Sequence, residues 1–239
     1  MGRFAPVLIL SSTLLLAGSA RATTVDLSTG VGSSGTIGGV LFEYIQLEPA
    51  GTGVLNSFVR IQANGEEEGY NTSNSDFAFD EKPPAGGFTR DLTFGELQAT
   101  AGSFQFVLDV AEPQGGHQNE LTLDALQIYV SDTGSQNTTN LASLGTLRYD
   151  MDALENSEVL LALTTGNGIS DMLMSVPASV FAGVGDGQFI ILYSHFENSG
   201  GSFEEWAHVT VVPEPGTAML LATGLAGLAM AGSTRRLRK

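Results

Sequence analysis

The chain lacks cysteine altogether. That excludes disulfide scaffolds, Cys-ligated zinc and iron–sulfur centres, and thiol nucleophiles. Basic residues are scarce: 10 Lys and Arg stand against 26 Asp and Glu, a net charge of −16 over 239 residues. Such a surface repels phosphate backbones, which excludes nucleic acid as a partner. Histidine occurs only as His117, His195 and His208, and never in a His-Glu-x-x-His pair, so a zinc protease has no support. There is no Gly-x-Ser-x-Gly elbow and no Ser-x-x-Lys pair, so a nucleophilic serine has no local signature. Tryptophan occurs once, as Trp206. Charged residues are only 15% of the chain beside 42% hydrophobic ones, which excludes a disordered acidic polymer.

Both ends read as targeting segments. Arg3 precedes an uncharged, largely apolar stretch from Phe4 to Ala17, and Ala20-Arg21-Ala22 places small residues at the −3 and −1 positions of a cleavage site. That is the layout of a secretory signal peptide cut by signal peptidase before Thr23. At the other end Pro215 to Thr234 is free of charge for 20 residues. As a helix it is about 30 Å long, one hydrocarbon thickness. Arg235, Arg236, Arg238 and Lys239 follow at once, and such a basic cluster is kept on the cytoplasmic side. The expectation is one C-terminal transmembrane helix, with the body outside the cytoplasm. Ala218, Ala222 and Ala226 recur at a spacing of four, which lets helices approach closely. Pro213-Glu214-Pro215 stands just before the span. Its prolines cannot donate hydrogen bonds and hold the segment extended, accessible either to a membrane-embedded protease or as a plain linker.

Pro213-Glu214-Pro215, a short Gly/Ala/Leu span and an Arg-rich end, in that order over Pro213–Lys239, resemble the PEP-CTERM sorting signal. The resemblance implies processing by an exosortase, a membrane-embedded transpeptidase-like enzyme of Gram-negative bacteria that make exopolysaccharide. It implies sorting rather than an activity. The three expected parts are therefore a signal peptide (1–22), a mature extracytoplasmic domain (23–212) and the sorting signal (213–239). Between Thr23 and Val212 only Arg60, Lys82, Arg90 and Arg148 offset 25 acids, a net charge of −21 over 190 residues.

That middle part is large enough for a substantial core. Alternating apolar runs separated by Gly, Asn, Asp and Pro recur at Leu41–Leu47, Val54–Ile61, Phe104–Leu108, Leu121–Val130, Gln188–Phe196 and Trp206–Val212. The period predicts antiparallel strands. Met151–Leu163 has an interrupted helical pattern, and Pro177–Phe181 predicts one helical turn. Asn64–Gly87, Ser131–Asn140 and Asn198–Ser202 read as loops, and Asn71 and Asn137 head N-glycosylation patterns. The predicted class is all-β, an antiparallel sandwich of jelly-roll type. The runs Phe106–Pro113, Leu121–Tyr129, Leu144–Asp150, Gly168–Met172 and Phe203–Trp206 are similar to a recurrent core among PEP-CTERM proteins. That likeness implies a secreted β-domain and nothing catalytic.

The acids supply the remaining candidates. Calcium takes hard carboxylate and carbonyl oxygens, and Asp150, Asp152 and Glu155 form the closest local set, with Asp109, Glu112 and Asp171 as others. Leu154 and Glu155 break an EF-hand continuation, and the alternative is a solvated acidic surface. Glu204 and Glu205 immediately precede Trp206, whose ring is a candidate glycan-stacking face. As strand neighbours the two carboxyls point to opposite faces and do not form a glycosidase pair by themselves. His195 and His208 read as strand-face residues, each with one hydrogen bond. The expected function is a noncatalytic cell-surface or matrix protein associated with exopolysaccharide. The alternatives are a carbohydrate-binding module and a secreted glycan-active hydrolase.

Overall fold

A computed structural model of the chain describes residues 22–47, 55–82, 88–110, 121–161 and 170–209. Ala20, Glu112, His117, Pro213–Pro215, the expected membrane helix and the basic tail lie outside the described residues. Among those described, no helix is long and apolar enough to cross a membrane.

The described chain is mostly β. Its strands are β1 (Thr23–Asp26), β2 (Ser34–Ile37), β3 (Val40–Leu47), β4 (Leu55–Ile61), β5 (Asn64–Tyr70), β6 (Leu92–Thr93) and β7 (Ala99–Thr100). There follow β8 (Ser103–Val110), β9 (Leu121–Ser131), β10 (Thr146–Asp150), β11 (Ser157–Leu161), β12 (Ser170–Pro177), β13 (Phe189–Gly200) and β14 (Glu204–Val209). The first sheet has the order β1-β11-β9-β13-β5, with β10 on β9 and β6 on β13. The second has the order β2-β3-β12-β8-β14-β4, with β7 on β8.

Alternation makes each sheet two-faced. In β8, Phe104, Phe106, Leu108 and Val110 point inward, and in β12 Met172, Met174 and Val176 do the same. They share one core with Leu121, Leu123, Leu126, Ile128 and Val130 of the facing β9. The inward step from Leu123 to Leu126 is three residues instead of two because β9 bulges there, with Ala125 opposite His195 and Leu123 opposite Phe196. The bulge leaves Asp124 as the extra residue. A second cluster, Tyr70, Tyr129, Leu144, Ile191 and Tyr193, lies on the outer face of the first sheet, with Phe79 and Leu141 packed on it.

Four expectations are corrected. β1 pairs parallel to β11, Thr23 opposite Ser157 and Val25 opposite Val159; it forms an edge of the first sheet with Val25 buried. Asn64–Tyr70 is a strand and not a loop. Its Glu67 faces inward, fully buried, and accepts hydrogen bonds from Ala63 N (2.7 Å) and Ser199 Oγ (3.1 Å), which offsets the loss of water. The helical pattern over Met151–Leu163 resolves into a turn followed by β11, because Val159 and Leu161 alternate inward. β13 runs through Asn198 to Gly200 by way of a bulge between Glu197 and Ser199, with Asn198 at φ +67. The helical turn after Pro177 is present as a 3-10 turn, Ala178–Phe181.

Candidate functional site

The acidic set Asp150, Asp152 and Glu155 lies in the β10–β11 turn, where local chemistry occupies it. Asp150 accepts from Asp152 N (3.0 Å) and Gln127 Nε2 (3.2 Å). Asp152 accepts from Ser157 N (2.8 Å), and Glu155 accepts from the Thr23 hydroxyl. Burial raises the Asp152 pKa; the Ser157 amide opposes this, and the charges of Asp150 and Asp124 add to it. Asp171, 2% exposed, accepts from Val110 N (2.9 Å), and Asp109 stands on the neighbouring strand. Among the described residues no three Asp, Glu or His side chains are grouped to hold a metal ion.

β14 carries the next candidates, and alternation decides their fates. Glu204, Trp206 and His208 are all buried. Trp206 is 0% exposed and donates from Nε1 to Ser194 Oγ (3.1 Å) of the facing sheet. Its ring face is covered by protein, so the expected glycan stacking is corrected: Trp206 ties the two sheets together. Glu204 is buried and neither of its carboxyl oxygens has a hydrogen-bond partner. Glu205 lies on the outer face, where both Arg60 Nε (2.8 Å) and Nη2 (2.5 Å) donate to it, along with the Ser57 hydroxyl. Neither ring nitrogen of His208 has a partner, which corrects the single expected hydrogen bond. Burial lowers its pKa, aided by the Arg90 charge and opposed by Glu96.

Two surface arrangements were not visible in the sequence. On the second sheet the Arg60 guanidinium sits over Phe88 (3.7 Å) and Phe203 (4.2 Å), held flat by cation–π attraction. On the first sheet Tyr193 donates to Glu68, Tyr129 to Gln127 (2.6 Å), and His195 Nδ1 pairs with the bulged Asp124 (3.3 Å). Burial raises the Tyr193 pKa, and the Glu68 carboxylate raises it further. These side chains form one polar band, since Tyr193 faces Gln127 and His195 faces Glu68 in the ladder. The only early signal was a polar interruption, Tyr193 and His195, within an apolar run. Bulges often re-aim a side chain at such places.

The two glycosylation patterns separate as well. Asn137 is exposed. Asn71 is 1% exposed; it donates to Ile190 O (2.8 Å) and accepts from Leu192 N (2.7 Å), extending the ladder of β13 with a side chain. It is closed to a glycan.

The PEP-CTERM protein-sorting motif matches residues 211–238. No curated protein and no solved structure matches the chain. The motif implies an exported protein with a C-terminal membrane-anchoring tail, and an exosortase as its processing partner.

Proposed function

We propose that residues 23–212 are the folded cargo of an exosortase-sorted, noncatalytic protein that works at the cell surface or in an exopolysaccharide matrix. One observation carries this reading: β14 ends at Val209 and the sorting motif begins at residue 211. The signal therefore follows the last strand of the core directly. At the other end β1 begins at Thr23, next to the expected signal-peptidase cut after Ala22, which supports removal of residues 1–22.

We infer a jelly-roll sandwich for the cargo. Without the short and leading strands, the sheet orders reduce to β4-β14-β8-β12 and β5-β13-β9-β11. That is the order of two interlocked Greek keys. The polar band on the first sheet favours a carbohydrate-binding module as the second reading, because Gln127, His195 and Asp124 are only partly buried and offer donors and acceptors. The hydrolase alternative has less support: the one adjacent carboxylate pair it drew on, Glu204 and Glu205, is split between two faces.

The test is export in a host with and without its exosortase. The tail is expected to be lost only when the enzyme is present, seen as a mass decrease on the purified protein. Replacing Pro213, Glu214 and Pro215 together by alanine is expected to leave the tail attached and the protein in the membrane fraction. A tail retained in all three cases, or lost in all three, would sink the reading.

A further inference from the structure

The turn that holds Asp150, Asp152 and Glu155 does more than lead from β10 to β11, both of which pair with β9. It borders a cleft of about 110 Å³ whose lining includes Thr23, Asp150, Leu154, Glu155 and Ser157. Thr23 reaches it because β1 lies parallel to β11, with Thr23 opposite Ser157. Its hydroxyl donates to Glu155, and that of Thr24 donates to Glu158 (2.8 Å). The backbone nitrogen of Thr23 is thus within one side chain's length of a carboxylate that already contacts the same residue. Ala22, just before it, is exposed, so the peptide linkage at this point opens outward.

Cleavage after Ala22 changes the chemistry of that nitrogen. A neutral amide becomes an α-ammonium with three donors and a full positive charge, whose unperturbed pKa is about 8. The charged residues lining the cleft are Asp150 and Glu155 from the β10–β11 turn; Glu158 of β11 is engaged by Thr24, and the lining from the β2–β3 hairpin, Thr36, Ile37 and Gly38, is uncharged. We propose that the new amino terminus at Thr23 docks on Glu155 as an ion pair at the mouth of this cleft, so that signal-peptide removal adds a charged clasp between β1 and β11. The inference rests on the signal-peptide reading above.

The clasp has a defined pH sign. The ion pair needs the ammonium charged and the Glu155 carboxylate ionised, so the clasp is lost as rising pH takes the proton from the ammonium.

The experiment labels the α-amine of the exported protein with an acylating reagent over pH 6–10 and reads the N-terminal peptide by mass spectrometry. The same protein unfolded in urea is the internal reference. The native amine at pH 7.5 is expected to label about tenfold more slowly than the reference, the effect of one pKa unit, and Glu155→Gln is expected to restore ordinary labelling. Glu158→Gln serves as a second variant that leaves the Thr23 contact intact, and it is expected to keep most of the protection. A Thr23 terminus that labels at the reference rate overturns the docking alone. An N-terminal peptide that begins elsewhere overturns both the docking and the expected cut.

Discussion

His208 is 1% exposed with neither ring nitrogen bonded, and Phe58 lies against its ring at 6.4 Å between centroids. A buried imidazole without a partner stays neutral, because the charged form would lose its water for nothing. The unfolded chain binds a proton near pH 6.5 that the folded chain refuses. Stability is therefore full above about pH 6.5 and declines as pH falls below it, toward the depressed folded pKa. His208→Phe removes this coupling. Between pH 7 and pH 5 the variant's Tm is expected to fall less than that of the natural chain. Thermal melts at both pH values check it, and parallel declines would show that His208 does not titrate between the two states.

The strands differ in how far pattern alone specified them. β8, β9 and β13 combine apolar alternation with length, and their places were legible. β5 was not, because Glu66, Glu67 and Glu68 mask the period; only the pairing with β13 and the bonds to Glu67 make a strand of them. β11 is short, and its apolar residues fit a helix as well as a strand until β9 and β1 flank it. β1 itself is held closely. A Cβ added at Gly35 of β2 would come within 2.6 Å of Val25 Cγ2, so Gly35→Ala forces the Val25 side chain, or β1 with it, to shift. Overpacking of this kind costs about 1–3 kcal/mol, a loss of several degrees in Tm. Gly187→Ala, where an added Cβ meets nothing within 4 Å, is the control and is expected to change stability by less than about 0.5 kcal/mol. Equal melts for the two variants would mean that β1 is free to shift.

At the scale of the molecule, charge dominates. A body of −21 with four basic residues repels itself and repels any anionic polymer brought near it. Arg60 is already committed to Glu205 and Arg90 to Glu96. Divalent ions relieve the repulsion wherever they gather, whereas the Asp150 turn already bonds its own carboxylates. Calcium and magnesium at equal millimolar concentration are therefore expected to raise Tm by the same few degrees, as screening does. Melts with each ion and with chelator decide this. A shift for calcium alone, near the 2.7 kcal/mol that a site at 100-fold saturation contributes, would establish a specific calcium site instead.

The sequence by itself determined the destination and the class. A sorting motif is read as a linear segment by an enzyme, so Pro213-Glu214-Pro215 and its tail needed no fold to be legible. Period-two alternation likewise announces strands one at a time, and the absence of cysteine and scarcity of cations exclude chemistries without reference to shape. Tertiary structure alone decided which side of each strand meets protein and which meets water. Trp206 became a tie between sheets, Asn71 a rung of the β13 ladder, and Tyr193, Gln127, His195 and Glu68 one band, although the sequence scatters them over more than a hundred positions. Such neighbours are made by strand register, and register is a property of the assembled sheets, fixed only when both faces have been buried or exposed together.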